Sequence, residues 1–155
     1  MQVFESVAAL ADRVGEELGT TEWMAVTQDM IDAFADVTGD RQWIHIDVAR
    51  ARTESPFGTT VAHGFLTLSL VPMLMQQIFR IEKVAQSINY GSDRIRFPAP
   101  VPAGARIRGR HRLKAADPLP DGGFRLVHHM TVEVENGDKP GCVAEVISVI
   151  YPAAD

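Results

Sequence analysis

The hydrophobic pattern of this chain changes period part-way along, and that change restricts the fold more than any other feature. After residue 83 apolar positions recur every second residue. Arg106–Leu113 alternates strictly, with Arg106, Arg108, Arg110 and Arg112 toward one face and Ile107, His111 and Leu113 toward the other. A period of two is that of a strand with one buried face. Val84–Tyr90, Asp93–Phe97, Phe124–Glu135 and Cys142–Tyr151 read as further strands. Pro98, Pro100 and Pro102 interrupt the sheet, because proline lacks a ladder donor. Asn136-Gly137 marks a turn, lengthened by Asp138, Lys139 and Pro140.

Ahead of the strands, Gly64–Phe79 is apolar nearly all round. Such a helix is expected to be buried on most sides, and Pro72 predicts a kink or two pieces. Residues 6–18 place Val7, Leu10, Val14 and Leu18 at helical spacing, with Ser6 as N-cap and Gly19 as the stop. Trp23–Val26 is a short strand candidate. Thr27 caps a second helix that ends at Gly39, and Asp47 caps a short one over Val48–Arg52. Helices come first, then a central apolar helix, then long antiparallel strands. This is an α+β order in which the helix fills the sheet's apolar face. With 155 residues and no linker or repeat, one domain over 1–155 is expected.

Composition excludes several classes. The net charge of −5 argues against general nucleic-acid binding. The charge is uneven, however: residues 1–63 hold 11 acids and 4 Lys/Arg, while residues 94–114 hold 7 Lys/Arg and no acid. A basic patch on an acidic protein suits a small anionic ligand, or else is a solvated strand face. The single cysteine, Cys142, has no partner within the chain, and zinc-ligand spacing is absent, so no metal is expected. No segment reads as a signal peptide or a membrane span, and a cytoplasmic location is expected.

Two stretches carry chemistry. Asp40 and His45 follow the glycine that ends the second helix. A carboxylate and an imidazole on one loop can share a water and exchange protons near neutral pH. The alternative is a turn aspartate beside a structural histidine. Phe57-Gly58-Thr59-Thr60-Val61-Ala62-His63-Gly64 then leads into the apolar helix. Free N–H groups at a helix start favour negative charge, such as the oxygen of a carbonyl becoming an enolate. Gly64 equally permits close packing of helix on sheet.

Gly39-Asp40 with Ile44-His45, Phe57-Gly58, Ala62-His63-Gly64, Asn89-Tyr90-Gly91 and Arg96-Phe97-Pro98-Ala99-Pro100-Val101 together resemble the MaoC-like dehydratases and (R)-specific enoyl-CoA hydratases. Within them the chain is most similar to the short single-hot-dog, NodN-like subgroup, from about Val26 to Tyr151. The resemblance implies a hot-dog fold, a homodimer and a role in fatty acid metabolism. It implies a lyase that adds water to trans-2-enoyl-CoA, with no cofactor beyond the CoA thioester itself. It makes Asp40 and His45 the acid/base pair and the Gly64 N–H the oxyanion donor. Trp43, Phe57, Gly58, His63, Asn89, Arg94 and Arg96 are then the expected substrate contacts, with Arg94 and Arg96, on one strand face, toward the CoA phosphates. His63 is also read as a brace for its turn. The family commonly has Asn-Pro where this chain has Gln42-Trp43, so Trp43 is expected to narrow the pocket. A hot-dog thioesterase and a non-catalytic acyl-thioester-binding protein remain alternatives, since fold alone does not choose among them.

Overall fold

The computed structural model describes residues 1–153. The chain runs β1 (Gln2–Phe4), α1 (Val7–Ala11), β2 (Glu17–Thr20), β3 (Met24–Ala25), α2 (Gln28–Thr38), α3 (Trp43–Ile46) and α4 (Val48–Glu54). There follow α5 (Gly64–Ser69), α6 (Val71–Ile78), β4 (Phe79–Ile81), β5 (Val84–Arg96), β6 (Arg106–Pro118), β7 (Phe124–Val134) and β8 (Cys142–Pro152). The main sheet is antiparallel with order β2-β6-β7-β8-β5, and β3 extends the β2 side of β6. β1 and β4 form a separate parallel pair.

The sheet wraps α5 and α6. Leu66, Val71 and Leu74 pack with Ile107, Met130, Val132, Ala144 and Val146 into one core. A second core lies at the other end of α6, where Ile78 and Phe79 meet Phe4, Leu10, Leu18, Leu113, Leu126 and Ile150. Leu74 approaches the sheet over Gly109, where an added Cβ would sit 3.0 Å from the leucine's own. Each such buried side chain contributes about 2 kcal/mol. The exposed arginine stripe contributes little by comparison, since exposed ion pairs are worth about 0–1 kcal/mol each.

That stripe is answered by acids that sequence patterning did not pair with it. Arg106 meets Glu135 at 3.0 Å, Arg108 meets Glu133 at 2.6 Å, and Arg110 meets Glu133 at 2.8 Å. It behaves as a solvated face knitted across β6 and β7.

Three expectations change. The helix over residues 6–18 stops at Ala11, and Glu17–Thr20 is a strand instead. Gly15, at φ 90, turns the chain and its N–H donates to Leu113 O at 2.8 Å. Pairing with the edge of β6 there outweighs helical spacing, and Leu18 reaches the core from a strand while Val14 stays exposed. The two strands expected around residue 91 are one, with irregularities at Asn89/Gly91 and Asp93/Arg96. Arg94 sits in the second at φ 53, so simple alternation does not place Arg94 and Arg96 on one face. The apolar helix runs in two pieces, as Pro72 predicts, breaking at Leu70 so that Pro72 falls in the first turn of α6, where a missing N–H costs nothing. It is also less enclosed than expected: Phe65 is 64% and Met73 37% exposed. Among the described residues no helix is long and apolar enough to cross a membrane.

Candidate active site

The loop between α2 and α3 is aimed by its ends. Thr27 Oγ1 accepts from the Met30 N–H at the start of α2, and Gly39 closes it at φ 77 with its N–H on Ala35 O. A left-handed residue there is cheap only for glycine. The chain then turns at Asp40 and enters α3, which carries His45.

His45 is held at both ends. Its Nδ1 lies 2.6 Å from Val61 O, so Nδ1 carries the proton and Nε2 keeps a lone pair. Its own carbonyl accepts from Gln28 Nε2 at 2.8 Å. Gln28 in turn accepts from Thr60 Oγ1 at 2.5 Å, which ties α2 to both strands of the loop. Gln28 and Thr60 lie 17 and 15 residues from His45, beyond any local pattern, so the sequence carried no signal for them.

His63 lies beneath this pair. It is 3% exposed, its ring stacks on His45 with centroids 3.8 Å apart, and its Nε2 lies 2.9 Å from the backbone carbonyl of Asp40. Phe34 closes the other side at 5.0 Å. His63 therefore touches both members of the pair and braces them from behind. Its Nδ1 is buried without a partner.

Ligand-bearing atoms of Asp40, His45 and His63 all fall within 4.8 Å of one another. The Asp40 carboxylate is exposed and has no hydrogen-bond partner among the described residues. Among the described residues, these three groups are the ones that could hold a divalent ion. The stacked rings, 26° apart in plane, run their in-plane lone pairs side by side rather than toward one point at about 2.1 Å. A water bridging Asp40 and His45 fits the spacing without moving a ring.

Gly64 opens α5 directly after His63. The first N–H groups of a helix lack helical partners, and no side chain caps these. An added Cβ on Gly64 would lie 2.8–2.9 Å from the Phe97 ring, so glycine also lets Phe97 cover this corner.

The other expected contacts are scattered. Trp43, on α3, stacks under the Arg50 guanidinium at 4.3 Å. Phe57 is exposed in the turn after α4, with Gly58 at φ 67. Arg94 and Arg96 stand near Phe97 at the far end of β5, with Arg94 only 3.8 Å from Glu145 and largely exposed. Asn89 lines a different region, a cleft of about 270 Å³ between α6 and strands β4, β5 and β8. This cleft does not include Asp40 or His45. Pro72, which lines it, is eight residues from Gly64 and on the other side of the break at Leu70.

Known proteins resemble this chain in sequence and in fold. The MaoC like domain family matches residues 9–134. The 3-hydroxyacyl-thioester dehydratase Z of Mycobacterium tuberculosis is 49% identical over 95% of this chain and 97% of its own length. Nodulation protein N of Rhizobium leguminosarum bv. viciae is 44% identical over 94% of this chain and 91% of its own. The unliganded R-hydratase PhaJ1 from Pseudomonas aeruginosa superposes with a TM-score of 0.69 at 24% identity, covering 91% of this chain and 83% of that one. An antiparallel sheet wrapped round this central helix is the hot-dog fold, and the chain is a lyase of the hydratase/dehydratase kind. It belongs to the MaoC-like domain family.

Proposed function

We propose that the protein adds water reversibly to trans-2-enoyl-CoA to give (3R)-hydroxyacyl-CoA. The observation that carries this reading is that a His45 ring nitrogen and an Asp40 carboxylate oxygen lie within 4.8 Å of each other, while Val61 O already occupies His45 Nδ1. In this reading His45 takes a proton from the water as its oxygen attacks the β-carbon. Charge moves to the thioester oxygen, which the Gly64 N–H at the open start of α5 stabilises. The α-carbon receives a proton on the same face, delivered through Asp40. The proton that His45 takes then passes to Asp40 and replaces the one Asp40 gives, so the pair is restored for the next turnover. Arg94 and Arg96 are assigned to the CoA phosphates, and the cleft beside α6 to the acyl tail, since its lining is mostly apolar. No cofactor takes part.

The working unit in this reading is a homodimer. β5 ends the sheet with one edge unpaired, most of its residues are exposed, and Ile88, Tyr90, Phe65 and Met73 are exposed around it. A second copy is the ordinary cover for such an edge. Sedimentation is expected to show a dimer at micromolar concentration, and a monomer would overturn this. Crotonyl-CoA tests the activity directly. Hydration removes the conjugated ultraviolet band without freeing a thiol, whereas thiol release would mark a thioesterase.

A further inference from the structure

The cleft beside α6 has one wall that hydration does not use. Ser148, on β8, lines it. Behind Ser148 two histidine rings are enclosed in the sheet, His111 at 0% and His128 at 1% exposed. The three side chains form one line. His111 Nε2 lies 2.9 Å from His128 Nδ1, and His128 Nε2 lies 3.0 Å from Ser148 Oγ. Phe79 flanks both rings, with centroids 5.1 and 6.0 Å away.

The far end of the line sets its direction. His111 Nδ1 is buried and has no partner. A buried N–H left unpaired is rarer and costlier than an under-used acceptor. His111 therefore carries its proton on Nε2 and donates to His128 Nδ1. His128 then carries its proton on Nε2 and donates to Ser148 Oγ. The Ser148 oxygen is occupied as an acceptor, so its own O–H remains to donate, and no other described residue receives it. Burial holds both rings neutral, pushing His128 down to about 3 and His111 to about 4. A nucleophilic serine needs the opposite direction, with the ring accepting its proton. Ser148 is thus an oriented donor.

Asn89 stands opposite Ser148 in the strand register and lines the same cleft. The surrounding Met75, Phe79, Val146 and Ile150 are apolar. A plain hydrocarbon chain seated here would strip water from the Ser148 O–H and offer nothing in return. We infer that the cleft takes an acyl chain bearing an acceptor oxygen along its tail, and that Ser148 selects such a chain over an unsubstituted one. This rests on the thioester reading above.

The test compares kcat/KM for trans-2-enoyl-CoA thioesters of one chain length, unsubstituted or carrying a keto or hydroxyl oxygen at successive tail positions. The wild type is expected to prefer at least one oxygenated member by about three- to tenfold, the worth of one hydrogen bond. Ser148→Ala should bring that ratio close to one, and Ser148→Thr, which keeps the hydroxyl, should retain it. Equal kcat/KM across the series in the wild type, or an unchanged ratio in Ser148→Ala, overturns this inference and leaves hydration standing. Failure to hydrate any member overturns the thioester reading and the inference with it.

Discussion

Two pairs of histidine rings touch in this molecule, and they are prepared for opposite tasks. His45 and His63 stack face to face at 3.8 Å, with each outer nitrogen bound to a backbone carbonyl. That leaves His45 Nε2 open beside an exposed carboxylate. His111 Nε2 and both nitrogens of His128 are instead spent within the line to Ser148, sealed inside the sheet, with His111 Nδ1 left buried and unpartnered. The side chains are identical. Solvent access and the partner of the second nitrogen leave one ring with an open lone pair, while burial holds His111 and His128 neutral. A mobile proton needs an accessible lone pair, while an oriented donor needs a ring that does not titrate.

The largest effect that would sharpen this contrast is at the open pair. Asp40→Asn and His45→Gln should each fold normally and lose about 10²–10⁴-fold in crotonyl-CoA hydration. More than half the wild-type rate in either variant would break the assignment.

The sealed pair should show itself in stability rather than rate. His111 and His128 have folded values of about 4 and 3, below the ordinary 6.5. The unfolded chain therefore takes up protons first as pH falls. Their contribution is complete above about 6.5 and is lost as pH drops toward 4. Between pH 6.5 and 5 the loss should be about 2 kcal/mol per ring. Urea unfolding across that range measures it, and His111→Phe should flatten the slope. An unfolding free energy that does not fall over this window would contradict burial of the neutral rings.

A smaller effect is expected at the brace. His63→Phe keeps a ring under His45 but loses the bond to the Asp40 carbonyl. Its kcat should fall about tenfold while KM stays near the wild-type value, because misplacement of reacting groups raises the barrier and not the binding cost. An unchanged kcat would make His63 mere filling.

The smallest effect tests the periphery against both pairs. Arg94→Ala should raise KM for crotonyl-CoA about threefold with kcat little altered, and high salt should mimic it, since exposed charges are screened. An unchanged KM would place Arg94 on the solvated face with Arg106 and Arg110.

Much of the frame was legible because it is local. Thr27, Gly39 and Asp47 cap α2 and α4 as their residue types predict, since a cap acts within one turn. The period of two located β6, β7 and β8 because every second side chain must face the core. Residues 6–18 were misread for the complementary reason. Val7, Leu10, Val14 and Leu18 satisfy a helical period, yet the edge of β6 offered backbone bonds that no local pattern reveals.

The site divides in the same way. Asp40, His45 and Gly64 could be singled out as candidates because loop length and helix starts are written in consecutive residues, but their roles came from the resemblance to the family. His111 and His128 could be placed on strands, but not in contact. That contact depends on the β6–β7 register, which sets Leu113 opposite His128 and His111 opposite Met130, so the two rings meet diagonally across the ladder. Sequence by itself determined the elements, their caps and the candidate pair. Tertiary structure alone decided which nitrogens are open, which are spent, and which water cannot reach, since these depend on partners brought together from 15 or more residues away.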